Sequence, residues 1–147
     1  LEAGDYRWRI NCVYEVPLKI RVTGPQRVFV EPRMMFPQRQ DLGESITLLG
    51  YEERQEADRR VITLIWKARQ EMSQSYRVFL HALDADGNLV AQSDGEPVDW
   101  TRPTTGWVKD EIVVETRLLN LKAGEYKLVV GWVDEAGERI GAITLMK

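Results

Sequence analysis

The sequence predicts an all-β fold, two antiparallel sheets packed as a β-sandwich of immunoglobulin-like or jelly-roll-like type. Three observations predict it. Apolar residues alternate with polar ones at a period of two, Gly/Asp/Asn turns punctuate the chain at short intervals, and no window sustains a helical period. Eight to ten short strands with such turns make a sandwich or a barrel, and two packed sheets are the expected form. At 147 residues the chain has the size of one domain and should bury roughly 70% of its unfolded surface. One domain over 1–147 is expected, with residues 1–40 its least securely attached part.

The clearest alternation runs through residues 6–22. The even positions are Tyr6, Trp8, Ile10, Cys12, Tyr14, Val16, Leu18, Ile20 and Val22, against mostly charged odd positions. Pro17 cannot donate a ladder hydrogen bond, so it should split the stretch into two strands or mark an edge, and such an edge could pair with a second copy. Thr23-Gly24-Pro25 turns the chain, 27–30 gives a short strand, and 32–37 is irregular. Strands over 45–52 and 60–68 flank a polar connection rich enough in helix formers for one helical turn. In the second of them Ile62, Leu64 and Trp66 face one way, Thr63 and Lys67 the other.

A strand over 76–83 runs into Asp84-Ala85-Asp86-Gly87-Asn88, a hairpin in which glycine supplies a positive φ, and returns over 89–93. The strand over 111–119 should turn Ile112, Val114 and Leu118 inward. That over 126–133 should turn in Tyr126, Leu128, Val130 and Trp132, and a last hairpin at 134–138 returns over 139–145.

Composition excludes several function classes. The net charge of −3 is small and its charges interspersed, whereas nucleic-acid binding needs a concentrated basic surface. No apolar run approaches the ~20 residues of a membrane helix. One cysteine, Cys12, allows no internal disulfide and no thiolate metal cluster. With one histidine besides, neither a metal site nor a cofactor is expected. No phosphate-binding loop, nucleophile elbow or kinase signature is present.

Segments between 46 and 140 carry a resemblance. They are Ile46-Thr47-Leu48-Leu49-Gly50-Tyr51, Leu64-Ile65-Trp66-Lys67-Ala68, Tyr76-Arg77-Val78-Phe79-Leu80-His81, and the run from Asp86 to Asp94. Pro97, Pro103-Thr104, Trp107, Gly124-Glu125-Tyr126 and Gly137-Glu138-Arg139-Ile140 follow in order. This order resembles the β-sandwich accessory domain of bacterial, often Chloroflexi-type, membrane glycosyltransferase-like proteins, which follows a region similar to dolichyl-phosphate-mannose mannosyltransferases. Asp110, Thr116 and Trp132 depart from the pattern, and residues 1–40 lie outside it. The resemblance implies a non-catalytic accessory or interaction domain, partnered by a membrane glycosyltransferase-like region in an extracytoplasmic setting. It carries over no catalytic residue.

The most suggestive segment is the loop over 94–107. It holds Trp100 and Trp107, with Gln92, Asp94, Asp99 and Arg102 close by. An aromatic face beside short polar side chains suits a pyranose, whose C–H face stacks on the ring while its hydroxyls find hydrogen bonds. A carbohydrate-binding reading therefore takes Trp100, Arg102 and Trp107 as platform, with Gln92 and Asp94 as partners. On the structural reading Trp107 plugs the end of the sandwich and Pro103 stiffens a crossover.

His81 carries the enzyme reading, since any Ser-His-Asp or Cys-His mechanism must use it. Its same-side strand neighbours Phe79 and Leu83 are apolar, which points instead to a hydrogen-bonded histidine packed in the interior. Asp84, Asp86 and Asn88 alternate like calcium ligands. Counted from Asp84, however, the sixth loop position is Leu89 and the twelfth Gly95, so the EF-hand pattern fails. Carboxylate pairs drawn from Asp94, Glu96, Asp99, Asp110 and Glu111 would need ~5–10 Å separations to hydrolyse a glycoside.

Overall fold

The computed structural model describes the backbone of residues 4–10, 14–22 and 24–147, and the side chains from residue 24 onward. Two four-stranded antiparallel sheets form a sandwich. The first is ordered β3-β4-β5-β8, from strands β3 (Phe36–Leu42), β4 (Ile46–Glu56), β5 (Arg59–Ala68) and β8 (Ile112–Asn120). The second is ordered β10-β9-β6-β7, from β6 (Arg77–Leu83), β7 (Leu89–Gly95), β9 (Lys127–Val133) and β10 (Arg139–Thr144). Two further strands, β1 (Gly4–Ile10) and β2 (Tyr14–Val22), pair antiparallel as a separate two-stranded sheet. Their register slips between Tyr6 and Trp8, opposite the stretch that holds Pro17, a residue with no N–H to give the ladder. The expected apolar face over 6–22 concerns side chains outside the described residues.

The sandwich shares one core because each sheet turns a single apolar face inward. Ile62, Leu64 and Trp66 of β5 meet Val78, Leu80 and Ala82 of β6 and Leu128, Val130 and Trp132 of β9, all buried. Trp132 lies at its centre, with Trp66 edge-on at 5.0 Å between ring centroids and Trp107 perpendicular at 5.7 Å. Edge-to-face contacts of this kind add roughly 0.5–1.5 kcal/mol each beyond area burial. The sheets are also tied at their edges: buried Gln38 of β3 donates to the Thr144 carbonyl of β10 at 2.7 Å and accepts from the Met146 N–H at 2.9 Å.

Several sequence expectations need correction. The polar connection after β4 is no helical turn: β4 and β5 run on as one long hairpin that reverses at Ala57-Asp58, with Ala57 at φ +49°. Residues 27–30 supply one bridge, Val28 to Ile112, rather than a strand, and β3 occupies a stretch expected to begin irregularly. On β8 the pleat is opposite to expectation. Val114 and Leu118 are 46% and 50% exposed, while Val113, Glu115, Arg117 and Leu119 are buried. Ile112 is buried too, but in a small cluster with Leu49 and Ile65.

Both hairpins of the second sheet use one device. The Asp84 carboxylate accepts the backbone N–H groups of Asp86 and Asn88, at 3.0 and 2.8 Å, and Gly87 follows at φ +84°. Asp134 accepts the N–H of Glu138 at 2.8 Å in the same way, ahead of Gly137. The Asn88 backbone and side-chain donors hold the Asp84 carboxyl below the usual carboxylate range.

Candidate functional site

The outer face of the second sheet carries a cleft of about 300 Å³, lined by Arg77, Phe79, His81, Asp94, Trp100, Arg139 and the strand positions beneath them. It is built from strand register. On β6, Arg77, Phe79 and His81 alternate with the core residues Val78 and Leu80 and so point outward. Phe79 stands opposite Asp94 of β7 on one side and Gly131 of β9 on the other.

Gly131 makes the floor possible. A Cβ there would lie 2.5 Å from the Phe79 ring and 2.2 Å from the Gly141 carbonyl oxygen. With no side chain in the way, the Phe79 ring reaches over β9 at Gly131 and is only 4% exposed despite facing outward. The Arg139 guanidinium sits 4.7 Å above that ring, a cation–π contact, and the His81 ring packs beside it, tilted, at 5.0 Å between centroids. Asp94 completes the row, its carboxylate 3.3–3.4 Å from His81 Nε2, a diagonal cross-strand contact.

Trp100 forms the wall and is 62% exposed. It ends a turn of unusual backbone: Val98, Asp99 and Trp100 have φ of +52°, +49° and +66°. Three successive non-glycine residues in the left-handed region cost roughly 1–2 kcal/mol apiece, so something must hold them. Thr101 donates its N–H and its hydroxyl to the Val98 carbonyl, at 3.1 and 2.6 Å, and the Arg102 N–H reaches the Pro97 carbonyl at 3.3 Å. From below, the Val98 N–H donates to buried Glu115 at 3.3 Å, and Arg117 donates to the Gly95 and Glu96 carbonyls at 3.0 Å. The edge of the indole lies over Gly95, where a Cβ would come within 3.3 Å of Nε1.

The two inward charges of β8 therefore brace the turn that carries Trp100. Glu115 also accepts the Trp66 indole N–H at 2.7 Å and pairs with Arg117 at 3.1 Å. Burial pushes the Glu115 carboxyl above the usual carboxylate range, and Arg117 and the Trp66 and Val98 donors offset only part of that.

The five residues singled out from the sequence part company here. Asp94 and Trp100 line the cleft. Gln92, exposed on β7 opposite His81, lies on the same face beyond its lining. Trp107 is 1% exposed and donates its indole N–H to the Arg102 carbonyl at 3.0 Å, so it plugs the sandwich and offers no platform. Arg102 is committed as well: its guanidinium pairs with fully buried Glu111, which also accepts Arg27 at 2.6 Å and the Val108 N–H at 3.0 Å. Those bonds staple the loop over 96–111 to the sandwich end.

His81 is not packed between the sheets as its apolar neighbours suggested. Phe79, His81 and Leu83 form the outer side of β6, and His81 faces the cleft. Sequence reasoning missed Arg77, Phe79, Gly131 and Arg139. One signal for them was present: a glycine inside a strand marks a close approach of something else, here Phe79.

Of the acidic residues considered as hydrolytic pairs, Asp94 faces His81 and three others are separately engaged. Glu96 accepts the Ser75 hydroxyl at 2.8 Å, Asp110 pairs with Lys67 at 3.4 Å, and Glu111 is enclosed by arginines. Among the described residues no cluster of three or more His, Cys, Asp or Glu side chains is placed to hold a metal ion, and no helix is long and apolar enough to cross a membrane. No family model matches the chain, and no curated protein matches it.

Proposed function

We propose that this chain is a non-catalytic accessory module that binds carbohydrate on the outer face of its second sheet. The observation that carries the reading is Trp100, a 62% exposed indole held on a left-handed turn beside a cleft that also presents Asp94, Arg77 and Arg139. Folding alone gives no reason to hold a large aromatic in water on three unfavourable backbone conformations. A pyranose ring gives one: its C–H face stacks on the indole, and its hydroxyls reach the Asp94 carboxylate, which accepts, and the arginines, which donate.

The resemblance to accessory domains of membrane glycosyltransferase-like proteins supports a sugar-handling setting. An enzyme centred on His81 draws less support, because its one close polar partner among the described residues is Asp94, on an open face. The test is a glycan array probed with the wild-type chain and with Trp100→Ala. Binding to a defined set of glycans that disappears in the variant is the expected result; no binding across the array, or binding untouched by the substitution, overturns the reading.

A further inference from the structure

We infer that the sugar recognised at this cleft carries a carboxylate, as a uronic acid does, and that Arg77 and Arg139 receive it. The inference rests on the carbohydrate reading and adds the ligand's charge. The whole chain has a formal charge of −3, yet the cleft is lined by two arginines and a single aspartate, a local excess of positive charge. A positive site on an acidic protein concentrates anions where the rest of the surface repels them.

The two arginines are placed to act together. Both are registered on Val133 of β9, Arg77 from β6 and Arg139 from β10, each one strand spacing (~4.8 Å) away on either side. Long side chains starting from such positions can converge on one group over the strand between them. Among the described residues neither arginine has a carboxylate partner, in contrast to Arg27, Arg60, Arg102 and Arg117, each of which pairs with a glutamate. Arg139 lies over the Phe79 ring at 4.7 Å, a cation–π contact that uses no N–H donor of the guanidinium. A planar fork of donors matches a carboxylate in two parallel hydrogen bonds.

Asp94 discriminates on the opposite side. Its carboxylate accepts sugar hydroxyls but repels a second anionic group, so the ligand must present its acid toward the arginines and its hydroxyls toward β7. The cleft, at about 300 Å³, is small for a ligand site and suits a short stretch of sugar rather than an extended chain.

The experiment titrates the full chain with oligomers of galacturonate, glucuronate and mannuronate, and with the same oligomers as neutral methyl esters, by calorimetry at fixed ionic strength. At least one acid is expected to bind about tenfold or more tightly than its ester, the worth of one charge-assisted hydrogen bond. Arg77→Gln and the double variant with Arg139→Gln should erase that preference, so that acid and ester bind alike. The single Arg77 variant serves as the control for folding, since that side chain makes no hydrogen bond or ion pair among the described residues. Equal binding of acid and ester, lost in Trp100→Ala, overturns the carboxylate inference and leaves carbohydrate binding standing. A preference that survives both arginine substitutions overturns the assignment to these residues, and no binding of any oligomer overturns the carboxylate inference, while the glycan array alone decides the carbohydrate reading.

Discussion

Replacing Trp100 with glycine should give a more stable protein than replacing it with alanine, the reverse of the usual order. At an ordinary position glycine is less stable than alanine by ~0.5–1 kcal/mol, because the unfolded chain gains freedom. Residue 100, however, has φ +66° and follows two residues that are also left-handed. Removing the Cβ there relieves roughly 1–2 kcal/mol of local strain. The balance favours Trp100→Gly over Trp100→Ala by about 1 kcal/mol, or ~2–4 °C in Tm for a domain of this size. Both variants lose the same indole contacts over Gly95. At 62% exposure those contacts hide at most roughly 100 Å², worth up to ~2 kcal/mol. Urea denaturation of the two variants side by side, with equal m-values, gives the difference directly. Should the alanine variant prove equally or more stable, the backbone at 98–100 is not strained and the case that the turn is held for a ligand fails.

Three further substitutions probe the frame around the cleft. Trp107→Ala empties a fully buried site beside Trp132 and should cost about 3–5 kcal/mol in denaturant unfolding, where a surface platform residue would cost under ~1. Gly131→Ala drives a methyl into the Phe79 ring and the Gly141 carbonyl, so it should destabilise by ~1–3 kcal/mol and weaken binding at the displaced floor; a neutral effect on stability contradicts the close approach. Glu115→Gln tests the buried acid through pH. Because burial raises the folded-state pKa of Glu115, its contribution is fully present below the ordinary carboxylate range and is lost as pH rises through that folded pKa. Wild-type stability minus that of the variant should therefore fall with rising pH, by no more than ~1.4 kcal/mol per pH unit. A difference that stays flat or rises removes the assignment.

The fold was legible wherever one face of a strand was clearly apolar and the other clearly polar. Ile62, Leu64 and Trp66 sorted correctly from Thr63 and Lys67, and Leu128, Val130 and Trp132 are buried as expected. The hairpin at Gly87 was legible from turn chemistry alone. Alternation failed on β8 because its inward side holds Glu115 and Arg117, which satisfy each other, Trp66 and two backbone carbonyls, while Val114 and Leu118 face water. On β6 both sides are apolar, so the period could not say whether His81 pointed in or out.

The candidate site was half legible for a related reason. Trp100 and Asp94 stood out because an aromatic among polar residues is conspicuous in a sequence. Trp107 looked the same there, and only its place beside Trp132 separates plug from platform. Arg77, Phe79 and Arg139 come from two strands far apart in sequence, and what unites them is register across Gly131 and Val133. Pairwise register of that kind leaves little trace in a single sequence beyond the glycine itself.

The most direct measurement is a two-dimensional NMR titration of the tryptophan indole N–H signals with a uronic acid oligomer. A saturable shift at Trp100, accompanied by the side chains of Arg77 and Arg139, with Trp66, Trp107 and Trp132 unmoved, is the expected result. Shifts centred on another surface, with Trp100 silent, would place the binding face elsewhere and contradict it.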